Sequence, residues 1–334
     1  MNTMKKILGI ALLAGFASTL SAQDLHYADV QQMGQWYNQS LKRDRKGELQ
    51  VNWRDIKYQN ALAFRTGSLM LNLSSGNKKD TTNASEKGYF SFSLGAAFDE
   101  TNTGFYKGTT GLLGLSYAQP LNRNGLYASV GFQGTLTTNK YGSTGTFPDQ
   151  FDQYGPVSGA VTTDPLRAGN KYSFFSLNAG ATLFQTGTSF EWYIGGSIRH
   201  LNRPFTEVNK LDDFRLNATN GLQAGFTLHG DRSSFSGYAV GNWKGKASEV
   251  LAGAQYQLVL SGDREVNEKN QSNNDQDVSL SLGCAVRLKD ALIPALGFNY
   301  NKTRIALHYD MNNSTIRSSG FVRRGFELAL TQKF

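Results

Sequence analysis

Cysteine and proline are scarce in this sequence, which has one cysteine and six prolines among its 334 residues. A single cysteine excludes an internal disulfide framework and a cysteine-based metal site. Cys284 shares one face of an alternating segment with apolar residues, so we expect a small side chain that is buried or faces lipid. The few prolines stand against 36 glycines, 15 tyrosines and 21 phenylalanines. This balance favours many strands with close approaches and belts of aromatic side chains.

Long apolar runs are missing after the first twenty residues, so the chain cannot cross a membrane as helices. Two lysines precede the apolar residues 7–20 and the small pair Ser21-Ala22, a pattern typical of a secretory signal peptide. We therefore predict a signal peptide over residues 1–22 and a mature chain that starts near Gln23. Loss of the two lysines lowers the formal net charge from +8 to +6. The remaining basic residues are scattered, and we expect no nucleic-acid partner.

Motifs of known catalytic sites are absent from the sequence. It has no Gly-x-Ser-x-Gly, no His-Glu-x-x-His and no phosphate-binding loop, so we expect no enzymatic activity, no catalytic residues and no cofactor. Arg304, His308 and Asp310 share one face of a predicted strand, where two residues span about 6–7 Å, too far for direct bonds. We expect them to join cross-strand charge networks in a barrel interior, and we expect the same of Glu191 and Arg199.

No arrangement of side chains predicts a metal site. His26 and Asp29 could be paired ligands, but two residues do not make a site, and a solvated polar pair is the favoured interpretation. A charged, asparagine-rich segment holds four further acidic residues: Asp263, Glu265, Asp275 and Asp277. They lack the spacing of a calcium loop, which favours a solvated loop.

Alternation of apolar with small or polar residues recurs along most of the chain. In residues 90–98 and 126–136, for example, apolar or small residues take every second position. With the weaker segments included, the pattern predicts about 14 strands (12–14), many of them long enough to cross a hydrocarbon layer at a tilt. Strands of soluble sandwiches average about five or six residues. We therefore predict an all-β fold, a single transmembrane antiparallel outer-membrane β-barrel over residues 46–334.

The last predicted strand has one wholly apolar face, made by Phe326, Leu328, Leu330 and Phe334. The chain then stops on an aromatic ring, an ending that resembles the C-terminal insertion signal of bacterial outer-membrane barrels. The alternative is the edge strand of a soluble sandwich. If this strand ends at the periplasmic side, we expect short turns such as Asn124-Gly125 and Asn301-Lys302 on that side. The long loops 138–170 and 261–276 are then expected at the cell exterior.

Residues 23–45 lack strand alternation but carry aromatic residues, among them Trp36 and Tyr37, and end on a charge cluster. We predict an N-terminal arm folded into the mouth or the interior of the barrel, with a helical turn. Whether the arm closes the barrel is left open by the sequence. The arm and the long loops are the parts that we expect to meet other proteins.

Several short segments, in this order along the chain, carry a family resemblance: Gln23-Asp24, Val51-Asn52-Trp53-Arg54, Phe147-Pro148-Asp149-Gln150-Phe151-Asp152, His200-Leu201-Asn202-Arg203-Pro204, the stretch from Leu296 to Asp310, and Lys333-Phe334. Together they resemble the PorP/SprF family of Bacteroidetes outer-membrane proteins, which is associated with the type IX secretion system. The arm departs from the family pattern Asn-Pro-Leu-x-x-Asn-Pro-Ala, since residues 34–41 contain neither proline. If the arm docks a partner, we therefore expect a different partner, or a different mode of binding, from those of other family members.

The resemblance implies support for the export or surface attachment of cargo proteins that carry a type IX C-terminal signal domain, such as adhesins used in gliding motility. Implied partners are such cargo, the periplasmic ring lipoproteins of the secretion machine, and outer-membrane lipids. The candidate partner-binding residues are Trp36, Tyr37, Phe147, Asp149, Phe151 and Asp152. Two alternatives remain at this point: an outer-membrane channel for small or hydrophobic solutes, and an outer-membrane enzyme such as a lipase or protease.

Overall fold

The computed structural model describes most of the chain after the predicted signal peptide. The described residues are 25–42, 47–58, 63–75, 88–102, 104–142, 151–152, 155–156, 171–205, 215–245, 247–261, 278–313 and 323–334. The predicted signal peptide over residues 1–22 lies outside them. No helix in this part of the chain is long and apolar enough to span a membrane.

Fourteen antiparallel strands form a closed barrel, as the sequence predicted. The first and last strands pair through eleven pairs of opposite residues, from Glu48 opposite Lys333 to Tyr58 opposite Arg323. This pairing closes the ring. The barrel strands are β1 Gly47–Tyr58, β2 Ala63–Ser74, β3 Tyr89–Thr101, β4 Tyr106–Pro120, β5 Leu126–Tyr141, β8 Lys171–Gln185, β9 Phe190–Arg199, β10 Thr219–His229, β11 Ser233–Lys244, β12 Ala247–Ser261, β13 Val278–Arg287, β14 Ala291–Tyr300, β15 Thr303–Asn312 and β16 Arg323–Lys333. A separate pair of two-residue strands, β6 Phe151–Asp152 and β7 Gly155–Pro156, lies between β5 and β8.

The two faces of the barrel wall differ as the alternation requires. In β3 the side chains of Phe90, Phe92 and Leu94 are exposed on the outer surface, whereas Ser91 and Ser93 are buried on the inner surface. Successive strand residues point to opposite faces, so one apolar and one polar face arise from the sequence alone. An apolar exterior and a polar interior suit a barrel that sits in lipid.

The ends of the strands place the two long loops at opposite ends of the barrel. We call the end where β1 begins and β16 ends the terminal end, and the other the distal end. Following the antiparallel ring, β5 ends at the distal end and β12 ends at the terminal end. The expectation that loops 138–170 and 261–276 face the same side was therefore wrong, because the number of strands between two loops, and not their length, decides their ends. Residues 138–141 and Ser261 also belong to strands.

Residues 25–42 of the arm lie inside the barrel and include one 3₁₀ turn, Gly34–Trp36. Their apolar side chains pack against inward-facing apolar side chains of the wall, so the molecule has a small core within its lumen. The arm contributes Tyr27, Ala28, Val30, Met33, Trp36 and Tyr37, and the wall contributes Met70, Ala97, Leu112, Val240, Leu251, Ala285, Ala291 and Ile293.

Candidate functional site in the barrel interior

Glu327 of β16 anchors the N-terminal half of the arm. Its two carboxylate oxygens accept hydrogen bonds from the backbone N–H groups of Ala28 at 2.7 Å and Asp29 at 2.9 Å. The side-chain amide of Asn52, on the neighbouring strand β1, donates a third bond at 2.8 Å. Glu327 is only 1% exposed, and burying a polar group costs free energy unless it is hydrogen-bonded in this way. The alternation that turns Phe326 and Leu328 outward is what turns Glu327 inward.

Arg54 of β1 joins the arm to the part of the barrel wall where the first and last strands pair. One Nη donates to the backbone oxygen of His26 at 2.6 Å, and the other donates to Asp310 of β15 at 3.3 Å. Its Nε lies 3.6 Å from Glu327. A guanidinium presents several donors in a fixed plane, so one side chain can hold three acceptors from three segments.

Asp29 of the arm forms an ion pair with Arg304 of β15, 2.8 Å between oxygen and nitrogen, and its carboxylate also lies 4.0 Å from His308. The backbone N–H of Gln32 donates to the same carboxylate at 3.2 Å. Burial on its own raises the pKa of Asp29, but the charges of Arg304 and His308 and these hydrogen bonds outweigh it and hold the pKa below its ordinary value. Asp29 is therefore a charged anchor of the arm at neutral pH.

Asp310 completes a charge network on the same wall. It accepts from Arg287 and from Arg323, each at 3.0 Å, in addition to Arg54. Asp290 shares both Arg287 and Arg323. The predicted cross-strand charge network is therefore confirmed for Asp310, whereas Arg304 and His308 meet the charge of Asp29 in the arm.

The C-terminal half of the arm binds the opposite side of the barrel, since β9 lies seven strands from β16 in the ring of fourteen. Gln133 donates to the backbone oxygen of Gln35 at 3.0 Å. The hydroxyls of Ser40 and Thr182 are 2.7 Å apart, and Lys42 pairs with Glu191 at 2.7 Å. The arm thus crosses the full diameter of the barrel.

Inward-facing glycines leave room for arm residues 38–40. A Cβ atom at Gly131 of β5 would lie 2.7 Å from the backbone nitrogen of Ser40 and 2.9 Å from the carbonyl carbon of Gln39. Gly114 and Gly180 are similarly covered by the side chains of Gln39 and Asn38. Wall and arm therefore fit closely here, and glycine is the residue that permits such an approach.

Two of the candidate partner-binding residues, Trp36 and Tyr37, are inside the barrel, 6% and 4% exposed. The Tyr37 hydroxyl accepts a hydrogen bond from the backbone N–H of Tyr27 at 2.8 Å, and the Arg199 guanidinium lies 5.2 Å from the Tyr37 ring centroid. In this arrangement both rings bind the barrel, and their role toward another protein stays a prediction.

The four candidates of the long loop are only partly covered by the structure. Phe147 and Asp149 lie outside the described residues. Phe151 and Asp152 form strand β6, of which the backbone alone is described. Their role in partner binding also stays a prediction.

The remaining sequence expectations concern single side chains. His26 and Asp29 do not meet each other, because His26 lies 2.7 Å from Glu249 while Asp29 pairs with Arg304. In the described ranges no group of three or more His, Cys, Asp or Glu residues could hold a metal ion. Cys284 is exposed on the outer face, as expected for a lipid-facing side chain. The four acidic residues of the asparagine-rich segment, Asp263, Glu265, Asp275 and Asp277, lie outside the described residues.

Glu191 and Arg199 each find partners inside the barrel. Glu191 binds Lys42 and lies 3.8 Å from His229, while Arg199 donates to Asn242 at 3.2 Å. In the distal half of the lumen, Arg199 also lines a cavity of about 70 Å³. Leu25 and Trp36 of the arm form part of this cavity, together with Tyr106 and other wall residues.

The predicted insertion-signal residues all lie on the outer surface: Phe326, Leu328, Leu330 and Phe334. The backbone N–H of Phe334 donates to the backbone oxygen of Gly47 at 3.0 Å, so the last residue binds the start of the first strand. The outward placement suits contact with lipid, and the function as an insertion signal stays a prediction.

Sequence reasoning missed the residues that hold the arm, chiefly Glu327, Asn52 and Arg54. The available signal was a carboxylate on the inner face of β16, between the small residues Gly325 and Ala329. Alternation places Glu327 inside the barrel, but nothing local to residues 323–334 shows that its partners are backbone groups about 300 positions earlier in the chain.

The family model described as type IX secretion system membrane protein PorP/SprF matches residues 58–330 of the chain. No curated protein matches the sequence. Three solved structures are similar to this chain in fold. The CymD monoaromatic hydrocarbon channel is 9% identical, with 96% of each chain covered and a TM-score of 0.47. The toluene transporter TodX of P. putida is 10% identical, covering 86% of this chain and 89% of TodX, with a TM-score of 0.45. The translocator domain of the autotransporter NalP from Neisseria meningitidis is 9% identical, covering 92% and 96%, with a TM-score of 0.35.

Proposed function

Because this chain belongs to the PorP/SprF family of type IX secretion system membrane proteins, we propose that it supports the export or surface attachment of a cargo protein that carries a type IX C-terminal signal domain, such as an adhesin. The protein is an integral outer-membrane β-barrel. The observation that carries the proposal is the family match over residues 58–330, which spans the barrel from the end of β1 to β16.

The barrel interior supports a role in binding protein. It holds an irregular polypeptide segment, the arm, through hydrogen bonds and ion pairs from many strands. We further propose that the protein acts without catalysing a reaction. The polar residues on the inner face of β15 are engaged structurally, since Arg304 and His308 face Asp29 and Asp310 binds three arginines.

The proposed partners rest on the family match, and each is assigned here to one part of the barrel. Cargo with a C-terminal signal domain would meet the loops or the interior, and the periplasmic ring lipoproteins would meet the terminal end. Outer-membrane lipids surround the apolar outer face, and no nucleic acid is involved. The terminal end is taken as periplasmic because barrels of this class keep their chain termini and short turns there.

The alternative function, a channel for small or hydrophobic solutes, requires a continuous path through the barrel. The arm crosses the lumen from β16 to β8 and β9, which counts against free diffusion of solutes. Single-channel recording in planar bilayers tests this point. We expect the intact protein to show no steady conductance; a stable open conductance would favour the channel.

Isolation of the tagged protein from detergent-solubilised outer membrane, followed by mass spectrometry, tests the proposed function. We expect a large protein with a C-terminal signal domain, with or without the ring lipoproteins, to come with it. An unrelated outer-membrane barrel with the same tag is the control. Recovery of the barrel alone, combined with an open conductance, would overturn the proposal.

A further inference from the structure

Four of the contacts between the barrel and the arm reach the main chain of the arm and not its side chains. Glu327 accepts from the N–H groups of Ala28 and Asp29. Arg54 donates to the carbonyl of His26 at 2.6 Å, and Gln133 donates to the carbonyl of Gln35 at 3.0 Å. Bonds of this kind are available to a polypeptide of any sequence, because every residue except proline carries one N–H and one C=O.

Acceptor and donor stand side by side on the wall. The Glu327 carboxylate and the Arg54 guanidinium are 3.6 Å apart, and together they satisfy one carbonyl and two N–H groups within four consecutive residues. On the opposite wall, Gly131 has no side chain and lies directly against the main chain of arm residues Gln39 and Ser40. The barrel interior therefore contacts the polypeptide main chain of the arm at two separate places.

Two side-chain sites add selectivity to these main-chain contacts. Asp29 lies between Arg304 and His308, both of which suit a carboxylate. Tyr27, two residues earlier, is 1% exposed and packs in the apolar cluster formed by arm and wall. Peptide-binding sites commonly combine backbone bonds that give affinity with pockets that read alternate side chains.

We propose that the wall formed by Asn52, Arg54, Arg304, His308 and Glu327 is a polypeptide-binding site that the arm occupies in cis and that also accepts a segment of a second protein. The occupant is a bent segment with an aromatic residue two positions before an aspartate, matching Tyr27 and Asp29, with the bend at Ala28 between them. That this second protein is secreted cargo rests on the proposed function; the site itself does not. An incoming segment remakes the bonds that the arm gives up, so the exchange leaves no buried charge without a partner.

The arm is a strong competitor because it is tethered. A tether of a few residues gives an effective concentration in the millimolar range. A free peptide therefore cannot displace the arm of the intact chain at micromolar concentrations. The tether has to be cut to expose the intrinsic affinity, and residues 43–46 connect the arm to β1 at the terminal end.

The test uses the full chain with a site-specific protease sequence inserted between residues 42 and 47 and cleaved after the barrel has assembled in detergent. A fluorescein-labelled synthetic peptide of residues 25–42 is then added, and uptake is followed by anisotropy and by co-elution of peptide and barrel. We expect uptake by the cleaved protein and none by the uncleaved protein. Unlabelled peptide should compete, and peptide with Asp29→Asn should compete about tenfold less well, because it loses a charge-assisted bond.

An Arg304→Ala barrel, cleaved in the same way, should lose the discrimination between the native peptide and the Asp29→Asn peptide while still taking up both. Failure of the labelled peptide to enter, whether the cut arm stays or leaves, would overturn the proposal. Equal competition by a scrambled peptide would also overturn it. Peptide exchange without any cargo in the isolated complex would contradict the proposed function alone, and cargo recovery without peptide exchange would contradict this site alone.

Discussion

Glu327 shows how a single buried carboxylate can organise two distant parts of a chain. It accepts hydrogen bonds from the arm and from Asn52, and it forms an ion pair with Arg54. Taking a carboxylate out of water costs several kcal/mol, and the N–H groups of Ala28 and Asp29 help to offset this cost only while the arm is docked. Docking of the arm and the burial of this charge are therefore coupled.

Replacement of Glu327 by alanine should loosen the arm. The substitution leaves two backbone N–H groups and the Asn52 amide without their acceptor, and removal of one member of a buried charge cluster costs about 3–5 kcal/mol. We expect hydrogen exchange of arm amides to accelerate by at least about 100-fold. Thr331→Ala is the control, because Thr331 lies on the same face of β16 and its hydrogen bond to the Gln32 side chain is long, 3.4 Å. Similar protection in the two variants would argue that Glu327 does not hold the arm.

Asp29 should make docking of the arm dependent on pH. Its pKa in the docked arm is below the ordinary value of 3.8. The sign follows from linkage: a lowered pKa stabilises the docked state above the ordinary pKa, and this contribution is lost as the pH falls through the lowered value. At pH 7 we expect Asp29→Asn to raise hydrogen exchange of the arm about tenfold, as for loss of a bond between charged groups. The difference from the native protein should shrink steadily below about pH 4. A difference that is constant from pH 7 to pH 3 would show that the Asp29 charge contributes nothing.

Strand β16 and the arm are two elements that bind each other through Glu327. Sequence alternation predicted the outer face of β16 correctly, because residue types report which face meets lipid and which does not. The inner face was predicted only as polar. The partner of Glu327 lies in an element without periodicity, and long-range contacts of an irregular segment leave no pattern in the sequence that local reasoning can use.

The close fit between β5 and the arm predicts that one added methyl group dislodges the arm. A Cβ at Gly131 meets backbone atoms of Gln39 and Ser40, which cannot rotate away as a side chain can. Overpacking of this kind costs about 1–3 kcal/mol, so Gly131→Ala should raise limited proteolysis within residues 38–42 about tenfold. Gly111→Ala in the adjacent strand is the matched control, because nothing lies within 4 Å of a Cβ there. Unchanged proteolysis of Gly131→Ala would mean that the arm shifts without losing its contacts.

At the scale of the whole molecule, the barrel and the approximate number of its strands were predictable, because a period of two repeats along the entire wall. The end of the barrel at which each long loop lies was not predictable. One strand more or fewer between two loops moves the second loop to the other end, and weak segments such as β11, with Gly237 and Gly241 on its outer face, blur the count. The position of the arm inside the lumen depends on side chains from both walls and was foreseen only as one of two possibilities.

The orientation of the barrel in the membrane is the last property that the strand order allows us to predict. Lys289 lies in the turn after β13 at the distal end, and Lys302 lies in the turn after β14 at the terminal end; both are exposed. With the terminal end in the periplasm, a membrane-impermeant maleimide added to intact cells should label Lys289→Cys but not Lys302→Cys, each in a Cys284→Ala background. After the cells are lysed, both should be labelled, which controls for folding and exposure of the turn. Labelling of Lys302→Cys in intact cells would show that the orientation is the opposite, with the terminal end at the cell surface. It would then place residues 262–277, and not residues 142–170, at the cell surface, because these segments join strands at opposite ends of the barrel.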